Sequence, residues 1–264
     1  MKDRHNIGFE LECVGPEKAP TFSAIRKHMR DIIGEEWIDS LRFDRDTSIR
    51  MLTKHDDMGR ATCEIVTPPT PRKEAMRQLE ALLVWMQGYC ITDHTCGLHV
   101  NISFTNPQLT SRVSYLHLVR LLPQTKILKI FDRDGNKYCS AINTKKRVHG
   151  SWSTEKIKRA IVQRFASKNK ALTYDKVLSI INGPDSVLAD ILRQGLLESV
   201  DEALFKQLQY KDKDIFVVDR NPFSKTKRYF EFRGIGNDDY QFRVDEIVET
   251  IQVFIDTLEQ SVVK

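Results

Sequence analysis

The sequence of 264 residues predicts a fold that combines short β-strands with longer amphipathic helices. Several short segments alternate apolar and polar residues, which is the pattern of a strand that buries one face. Two longer segments, 71–88 and 244–258, repeat apolar residues at helical spacing. With 41% hydrophobic and 29% charged residues, the composition is that of a globular chain and not of a disordered one.

Charge and cysteine content narrow the class of protein. The chain carries 41 Lys and Arg against 36 Asp and Glu, and this net charge of +5 permits an anionic ligand without predicting a nucleic-acid partner. No apolar run reaches the roughly 18 residues of a membrane span and the start lacks a signal peptide, so we expect a cytoplasmic protein without membrane contact. The five cysteines form no Cys-x-x-Cys pair, which favours reduced thiols over disulfides.

The predicted strands lie towards the two ends of the chain. They are NIGFELEC (6–13), LRFDRDTSIRML (41–52), ATCEIVTPP (61–69), CGLHVNISF (96–104) and KRYFEFRGIG (227–236). Each is short and contains alternating or β-branched residues.

Three helical segments are predicted between and after these strands. Thr70 can cap a helix that starts at Pro71 and ends near Gly88, and a second helix is predicted from Thr110 to about Lys129. The apolar stripe of the last helix consists of Val244, Ile247, Val248, Ile251, Phe254, Ile255 and Leu258.

The middle of the chain predicts a long loop followed by helices. Between Asp132 and Ser153 the sequence is rich in turn-forming and basic residues, and several helical patterns follow up to Tyr210. The start of the loop, DRDGNKY, has Lys137 at the sixth position and Asn143 follows at the twelfth, where a calcium-binding loop requires Gly and Glu, so the segment is interpreted as a turn. Its basic residues could bind a phosphate or form a solvated turn; they are Lys145, Lys146, Arg147 and His149.

Polar side chains of one kind recur on the open faces of the predicted strands. They are Glu10 and Glu12, Glu64, His99 and Asn101, and Glu231 and Arg233, each in a segment whose opposite face is apolar. Carboxylates with one imidazole are ligands for Mg²⁺ or Mn²⁺, and carboxylates gathered on neighbouring strands repel one another without a cation. The combination therefore predicts a divalent-cation site, with Arg233 placed to bind a phosphoryl group.

A zinc site built on the CGLH motif is the alternative interpretation. Cys96 and His99 are three residues apart on a predicted strand, so their side chains project to opposite faces. This geometry disfavours zinc.

The ordered set GFELE, DTSI, EIVTPP, CGLHVNIS and YFEFRG resembles the amidoligases related to glutamine synthetase and glutamate-cysteine ligase, in the carboxylate-amine ligase superfamily. The resemblance implies an α+β fold with flanking helices, in which an antiparallel sheet of that type has the active site on its open face. It also implies ATP and two or more Mg²⁺ or Mn²⁺ ions. ATP would phosphorylate a substrate carboxylate, and an amine would displace phosphate to leave an amide or isopeptide bond. Relatives of this kind are common in phage and bacterial genomes.

The same resemblance assigns roles to individual residues. The implied metal ligands are Glu10, Glu12, Glu64, His99 and Glu231. Arg233 corresponds to the phosphate-binding arginine, and we expect Glu64 and Arg233 to be catalytic. Asp46 and Ser48 match an Asp-x-Ser element near the substrate or at a structural turn.

One position departs from the relatives. Many of them have His-x-His where this chain has His99, Val100 and Asn101. Asn101 could therefore contact metal, nucleotide or substrate, and we place it with Lys145 and Arg147 among the residues that bind the nucleotide.

We expect one catalytic domain over residues 1–264, with the loop and helical subregion at about 132–219 shaping the substrate pocket. The carboxylate and amine substrates stay unidentified, as amino acids, peptides or other small molecules, and no feature predicts the oligomeric state. Two alternative functions stay open: a phosphotransferase of the same superfold, similar to guanidino kinases, and a non-catalytic protein that binds a nucleotide or a partner.

Overall fold

The computed structural model describes residues 4–15, 22–44, 49, 62–136, 139, 141–142, 215–220 and 228–263. Several predicted features lie outside these ranges: Asp46 and Ser48, the basic residues Lys145 and Arg147 of the loop, and the helical segment 153–210.

The described part of the chain contains a seven-stranded sheet in which the strands pair antiparallel. Its strands are β1 (His5–Val14), β2 (Arg42–Asp44), β3 (Thr62–Val66), β4 (Thr70–Pro71), β5 (Gly97–Phe104), β6 (Phe216–Arg220) and β7 (Arg228–Gly236). The spatial order is β2-β3-β1-β5-β7-β6, and the short strand β4 pairs with β1. The sheet is therefore centred on β1 and β5, which come from the two most regular alternating segments of the sequence.

Alternation along the central strands separates an apolar face from a polar one. In β1, Ile7, Phe9 and Leu11 are fully buried, and in β5, Val100 and Ile102 are fully buried. Burial of apolar surface provides most of the driving force for folding, so this face fixes the register of the strands. The polar residues between these positions are consequently held on the other face.

Helices complete the fold around the sheet. They are α1 (Phe22–Ile33), α2 (Glu35–Ile38), α3 (Arg72–Tyr89), α4 (Pro107–Thr110), α5 (Tyr115–Leu121), α6 (Gln124–Ile130) and α7 (Val244–Gln260), with a 3₁₀ turn at Tyr240–Phe242 before α7. Helix α3 packs on β1 and against α1. On β7, Phe232 stacks on Phe254 of α7 with ring centroids 4.4 Å apart. The combination of helices with an antiparallel sheet confirms the α+β class.

The predicted start of the first long helix is wrong by one residue. Pro71 is the N-cap of α3 and not its first helical residue, and no side chain caps the helix. Thr70 pairs with Ile7 in the sheet, so its backbone belongs to β4. The chain therefore turns from strand into helix without an intervening loop.

The single helix predicted from Thr110 to about Lys129 is also wrong. The segment forms three short helices, α4, α5 and α6, of which α4 begins upstream at Pro107. Pro123 precedes α6 and cannot donate a backbone hydrogen bond, which is one reason for the break before it. Ser114 caps α5 by accepting a hydrogen bond from the His117 amide, which fixes a second helix start inside the segment.

The predicted C-terminal helix is confirmed as α7, with one difference in its stripe. Val248 is 43% exposed, whereas Ile247 and Ile251 beside it are buried. Helices α1 and α2 and strand β6 were not predicted; β6 begins at Phe216, inside the region expected to be loop and helix. In the ranges that the structure describes, no helix combines the length and the hydropathy needed to cross a membrane.

Candidate metal centre

The polar face of the sheet brings the predicted side chains together because their strands are neighbours. Glu10 of β1 lies directly opposite His99 of β5, and Glu12 lies opposite Glu64 of β3. On the other side of β5, Asn101 lies opposite Glu231 of β7. Four adjacent strands, β3, β1, β5 and β7, thus contribute to one group of side chains, which we call the carboxylate cluster: Glu10, Glu12, Glu64, His99, Asn101, Glu231 and Arg233.

His99 lies at the centre of the cluster. Its Nδ1 is 3.1 Å from Glu10 Oε2 and 3.4 Å from Glu231 Oε1, and its Nε2 is 3.7 Å from Glu12 Oε1. The imidazole side chain is only 15% exposed. Three carboxylates from two strands therefore surround one ring.

Three members of the cluster have the spacing of a metal site. One ligand atom each of Glu10, Glu64 and His99 lies within 4.8 Å of the other two, and all three residues are half-buried. Among the described residues, this is the one group of three or more potential ligands with that spacing. Two carboxylates and one imidazole suit a hard or borderline divalent cation.

Glu12 is held by a backbone amide. Its Oε2 accepts a hydrogen bond of 2.6 Å from the Gly97 amide, and its backbone carbonyl accepts one of 2.9 Å from the Tyr240 hydroxyl. The side chain of Glu12 is 8% exposed. One carboxylate oxygen is thus fixed by the protein, while Oε1 faces His99.

Asn101 has one partner and one buried oxygen without a partner. Its Nδ2 donates a hydrogen bond of 2.8 Å to Glu10 Oε1. Its Oδ1 is buried and has no hydrogen-bond partner among the described residues. A buried carbonyl oxygen of this kind is costly unless something donates to it or coordinates it.

Arg233 lies beside Glu231, as their positions on one strand face predict. Its Nε donates a hydrogen bond of 2.5 Å to Glu231 Oε1. The guanidinium side chain is 17% exposed, so it is accessible from the open side of the sheet. A positive group therefore stands at the β7 side of the cluster.

The family model described as "Putative amidoligase enzyme" matches residues 3–187, more than half of the chain. The chain belongs to the amidoligase family. This membership confirms the family suggested by the strand motifs and indicates a ligase-type enzyme. The match includes β1, β3 and β5 and continues to residue 187, through part of the region where the motifs had shown little likeness; it ends before Glu231 and Arg233. Comparison with curated proteins found no match.

Protonation in this amidoligase chain is set by mutual contacts within the cluster. Burial tends to raise the pKa of Glu10, but the hydrogen bond and charge of His99, the Asn101 amide and the charge of Arg233 outweigh it and lower the pKa to about 2. Burial tends to lower the pKa of His99, but Glu12, Glu10 and Glu231 outweigh it and raise the pKa to about 8. Without a metal, a protonated His99 therefore serves as a counter-charge for the carboxylates.

The Cys96 thiol has no part in the candidate centre. Cys96 is fully buried next to the start of β5, and burial raises the pKa of its thiol. A metal ligand must be a thiolate, so this environment agrees with the argument against a zinc site.

The structure also places one residue that the sequence did not suggest. Arg133 is 2% exposed and lies in the segment interpreted only as a turn. Its Nη1 donates to the backbone carbonyls of Cys96 and Ile235, at the end of the sheet where Glu12 lies. No short sequence motif could have identified it, because its partners are 37 and 102 residues away.

Proposed function

We propose that this amidoligase uses ATP and Mg²⁺, or Mn²⁺, to join a carboxylate to an amine through an acyl-phosphate intermediate. The observation that supports the proposal most directly is the convergence of Glu10, Glu64 and His99, with ligand atoms within 4.8 Å, on the open sheet face of an amidoligase-family chain. An antiparallel sheet of the glutamine synthetase and glutamate-cysteine ligase type is part of the same proposal.

The side chains present fit a divalent cation. The proposed ligands are Glu10, Glu12, Glu64, His99 and Glu231, and the unpartnered Asn101 Oδ1 is a further oxygen of the type that Mg²⁺ accepts. When bound, Mg²⁺ would neutralise phosphate charge and the charge that develops during transfer. The requirement for a neutral imidazole means that His99 must lose its proton before it can act as a ligand.

The proposed reaction has two chemical steps, a phosphoryl transfer and the formation of the amide bond. A carboxylate oxygen of the substrate attacks the γ-phosphorus of ATP, the bond to the β-phosphate oxygen breaks, and ADP leaves. The amine nitrogen then attacks the acyl carbon, phosphate leaves, and the amine loses a proton. Arg233 is proposed to bind the transferring phosphoryl group, because its guanidinium is held at the edge of the cluster by Glu231.

Other roles stay predictions. Glu64 is proposed as a catalytic residue as well as a ligand, and Asn101, Lys145 and Arg147 as contacts to the nucleotide. Asp46 and Ser48 are proposed near the substrate. The cytoplasmic location is likewise a prediction.

The decisive experiment measures ADP release by the full chain with ATP, Mg²⁺ and mixtures of amino acids and short peptides. Glu10→Gln and Glu231→Gln should each lower ADP release by more than about 100-fold, since losing even an outer partner of a metal costs roughly 10- to 100-fold. Glu74→Gln is the matched control, because Glu74 is an acidic residue of α3 whose ion pair is with Arg77.

Product analysis separates the proposed ligase from the alternatives. An amide product supports the ligase, whereas a stable phosphorylated product would indicate a phosphotransferase. If the wild-type chain bound neither nucleotide nor Mg²⁺ in calorimetry, with substrates present, the proposal would be overturned and a non-catalytic protein that binds a partner would be favoured.

A further inference from the structure

We propose that Arg133 is a positioning residue of the carboxylate cluster: it fixes the Glu12 carboxylate through the Cys96–Gly97 peptide and so holds Glu12 Oε1 beside His99. The proposal rests on the proposed function, since it concerns the same cation site. It assigns a task to a buried arginine that the catalytic proposal does not use.

Arg133 reaches the cluster from outside the sheet. It follows α6, in a turn over residues 131–136, and its backbone amide donates to the Leu128 carbonyl. Its Nη1 donates hydrogen bonds of 3.0 Å to Cys96 O and 2.8 Å to Ile235 O. One guanidinium nitrogen thus joins the start of β5 to the end of β7.

The Cys96–Gly97 peptide connects Arg133 to Glu12. Its carbonyl accepts hydrogen bonds from Arg133 Nη1 and from the Asn237 amide, while its N–H donates to Glu12 Oε2 at 2.6 Å. Donors at the carbonyl fix the peptide plane and polarise it, which strengthens its N–H as a donor. Arg133 therefore acts on Glu12 through a single peptide unit.

Two glycines make room for the guanidinium on the sheet. Gly97 and Gly236 are paired in register across β5 and β7. A Cβ built on Gly236 would lie 1.8 Å from Arg133 Nη1, and one built on Gly97 would lie 3.1 Å from Nη1, 3.2 Å from Glu12 Oε2 and 3.5 Å from His99 Nε2. All three atoms lie within 3.5 Å of one point, so Nη1 and Glu12 Oε2 are at most about 6.3 Å apart.

The turn itself is held at other points, which allows the role of Arg133 to be separated from the role of the turn. Asn136 Nδ2 donates to His94 O at 3.0 Å, and Asn237 Nδ2 donates to the carbonyls of Phe131 and Asp132. Asn136→Ala removes one of these attachments without changing either the Cys96–Gly97 peptide or the charge at the cluster.

A positioning role and a simple charge effect predict different results for cation binding. If Arg133 only added positive charge near the site, Arg133→Gln would strengthen Mn²⁺ binding and Arg133→Lys would leave it unchanged. If Arg133 fixes Glu12, both substitutions weaken binding, because neither side chain reproduces the planar donor that bridges two carbonyls.

The test measures Mn²⁺ affinity of the full chain by calorimetry. We expect Arg133→Lys and Arg133→Gln to raise the dissociation constant by about 10-fold or more, in the range seen for outer partners of metal ligands. Asn136→Ala should stay within about 2-fold of wild type. In a Glu12→Gln background the Arg133→Lys effect should disappear, because residues that act through one another are not additive.

A second variant tests the same role if the Arg133 substitutions fail to fold. Gly97→Ala keeps the Arg133 side chain but brings a Cβ to 3.1 Å from its Nη1 and 3.2 Å from Glu12 Oε2, so these two groups must move apart from the new methyl group. It should weaken Mn²⁺ binding in the wild-type background, and by less with Glu12→Gln, where the proposed ligand that remains near the new Cβ is His99, 3.5 Å away. Arg133→Lys that folds and binds Mn²⁺ like wild type would overturn the proposal while leaving the proposed function intact.

The Gly97 amide gives a readout that does not need a metal. In the ¹⁵N-labelled metal-free chain, we expect the Gly97 amide proton to resonate downfield and exchange slowly, because it donates to a carboxylate. Arg133→Lys should move it upfield and speed its exchange, and Asn136→Ala should not. An unchanged Gly97 amide in Arg133→Lys would contradict the positioning role of Arg133, whether or not the wild-type chain binds Mn²⁺.

Discussion

His99 has two incompatible tasks in the proposed enzyme. In the metal-free cluster it is surrounded by Glu10, Glu231 and Glu12, and its pKa of about 8 keeps it protonated at neutral pH. As a metal ligand it must be neutral. The residue that stabilises the metal-free sheet is therefore the one whose proton the cation must displace.

This coupling predicts how metal-free stability depends on pH. The pKa of His99 is raised from 6.5 to about 8, so its contribution is complete below pH 6.5 and is lost as pH rises through 8. We expect the free energy of unfolding to fall by on the order of 2 kcal/mol between pH 6 and pH 9, measured by urea denaturation. His99→Gln should remove the slope, and His94→Gln should keep it; an equal slope in both variants would show that another group is responsible.

A second prediction follows from the contact of Asn101 with Glu10. Asn101→Asp replaces the Nδ2 donor, 2.8 Å from Glu10 Oε1, with a second carboxylate. The metal-free protein should lose about 1–3 kcal/mol of stability, the usual cost of breaking such a bond and opposing like charges. Excess Mn²⁺ should restore most of the loss in thermal unfolding.

Ser103→Asp is the matched control for that change. Ser103 lies on the same face of β5, two residues further along and opposite Asn6. An equal loss of stability in both variants, or no recovery of Asn101→Asp with Mn²⁺, would contradict the assignment of Asn101 to the cation site.

At the scale of elements, tight packing of α6 on β7 supports the β7 side of the site. A Cβ built on Gly234 would lie 2.7 Å from Ile127 Cγ2 and 3.2 Å from atoms of Ile215. Gly234→Ala should therefore destabilise the protein by about 1–3 kcal/mol through overpacking. Gly88 in α3 has nothing within 4 Å of its Cβ position, so Gly88→Ala should stabilise by about 0.5–1 kcal/mol.

Urea midpoints of these two glycine variants provide the measurement. Because the chemical change is the same, the difference in sign isolates the effect of packing from the effect of backbone entropy. Stabilisation by Gly234→Ala would mean that α6 does not pack on β7 as the structure has it.

The sequence predicted best the elements that pack one face on the hydrophobic core. The alternation in β1 and β5 predicted their faces, because one face of each is buried. The predicted helix at 110–129 was wrong although Pro123 was visible as a breaker. In α1, buried Ile25 and Met29 have helical spacing, a signal that could have been used.

The residues of the candidate site that lie on strand faces were also predictable from the sequence. Strand faces placed Glu10 and His99 together, since period-two side chains on paired strands must meet. Arg133 was not predictable, because it contacts backbone carbonyls and the turn that carries it is distant in sequence from both β5 and β7. A side chain that binds backbone atoms needs no partner of a particular residue type, so no sequence pattern reveals the contact.

At the scale of the whole molecule, the proposed cation site forms only when the sheet is complete. Glu10, Glu64 and His99 belong to three strands, and Glu231 adds a fourth from far along the chain. An unfolded chain cannot reproduce this arrangement, so a bound cation stabilises the native state alone. At 100 times its dissociation constant, Mn²⁺ should add about 2.7 kcal/mol.

For a chain of this size, that stabilisation corresponds to a rise in the thermal midpoint of about 5 to 10 °C. Calorimetric scans with increasing MnCl₂ should show the rise, and NaCl at the same ionic strength should not. In Glu10→Gln the rise should vanish, because one of the converging ligands is gone, whereas Glu74→Gln on the surface should behave like wild type. An undiminished rise in Glu10→Gln would place the bound cation elsewhere on the molecule and separate the stability of the sheet from the proposed catalytic site.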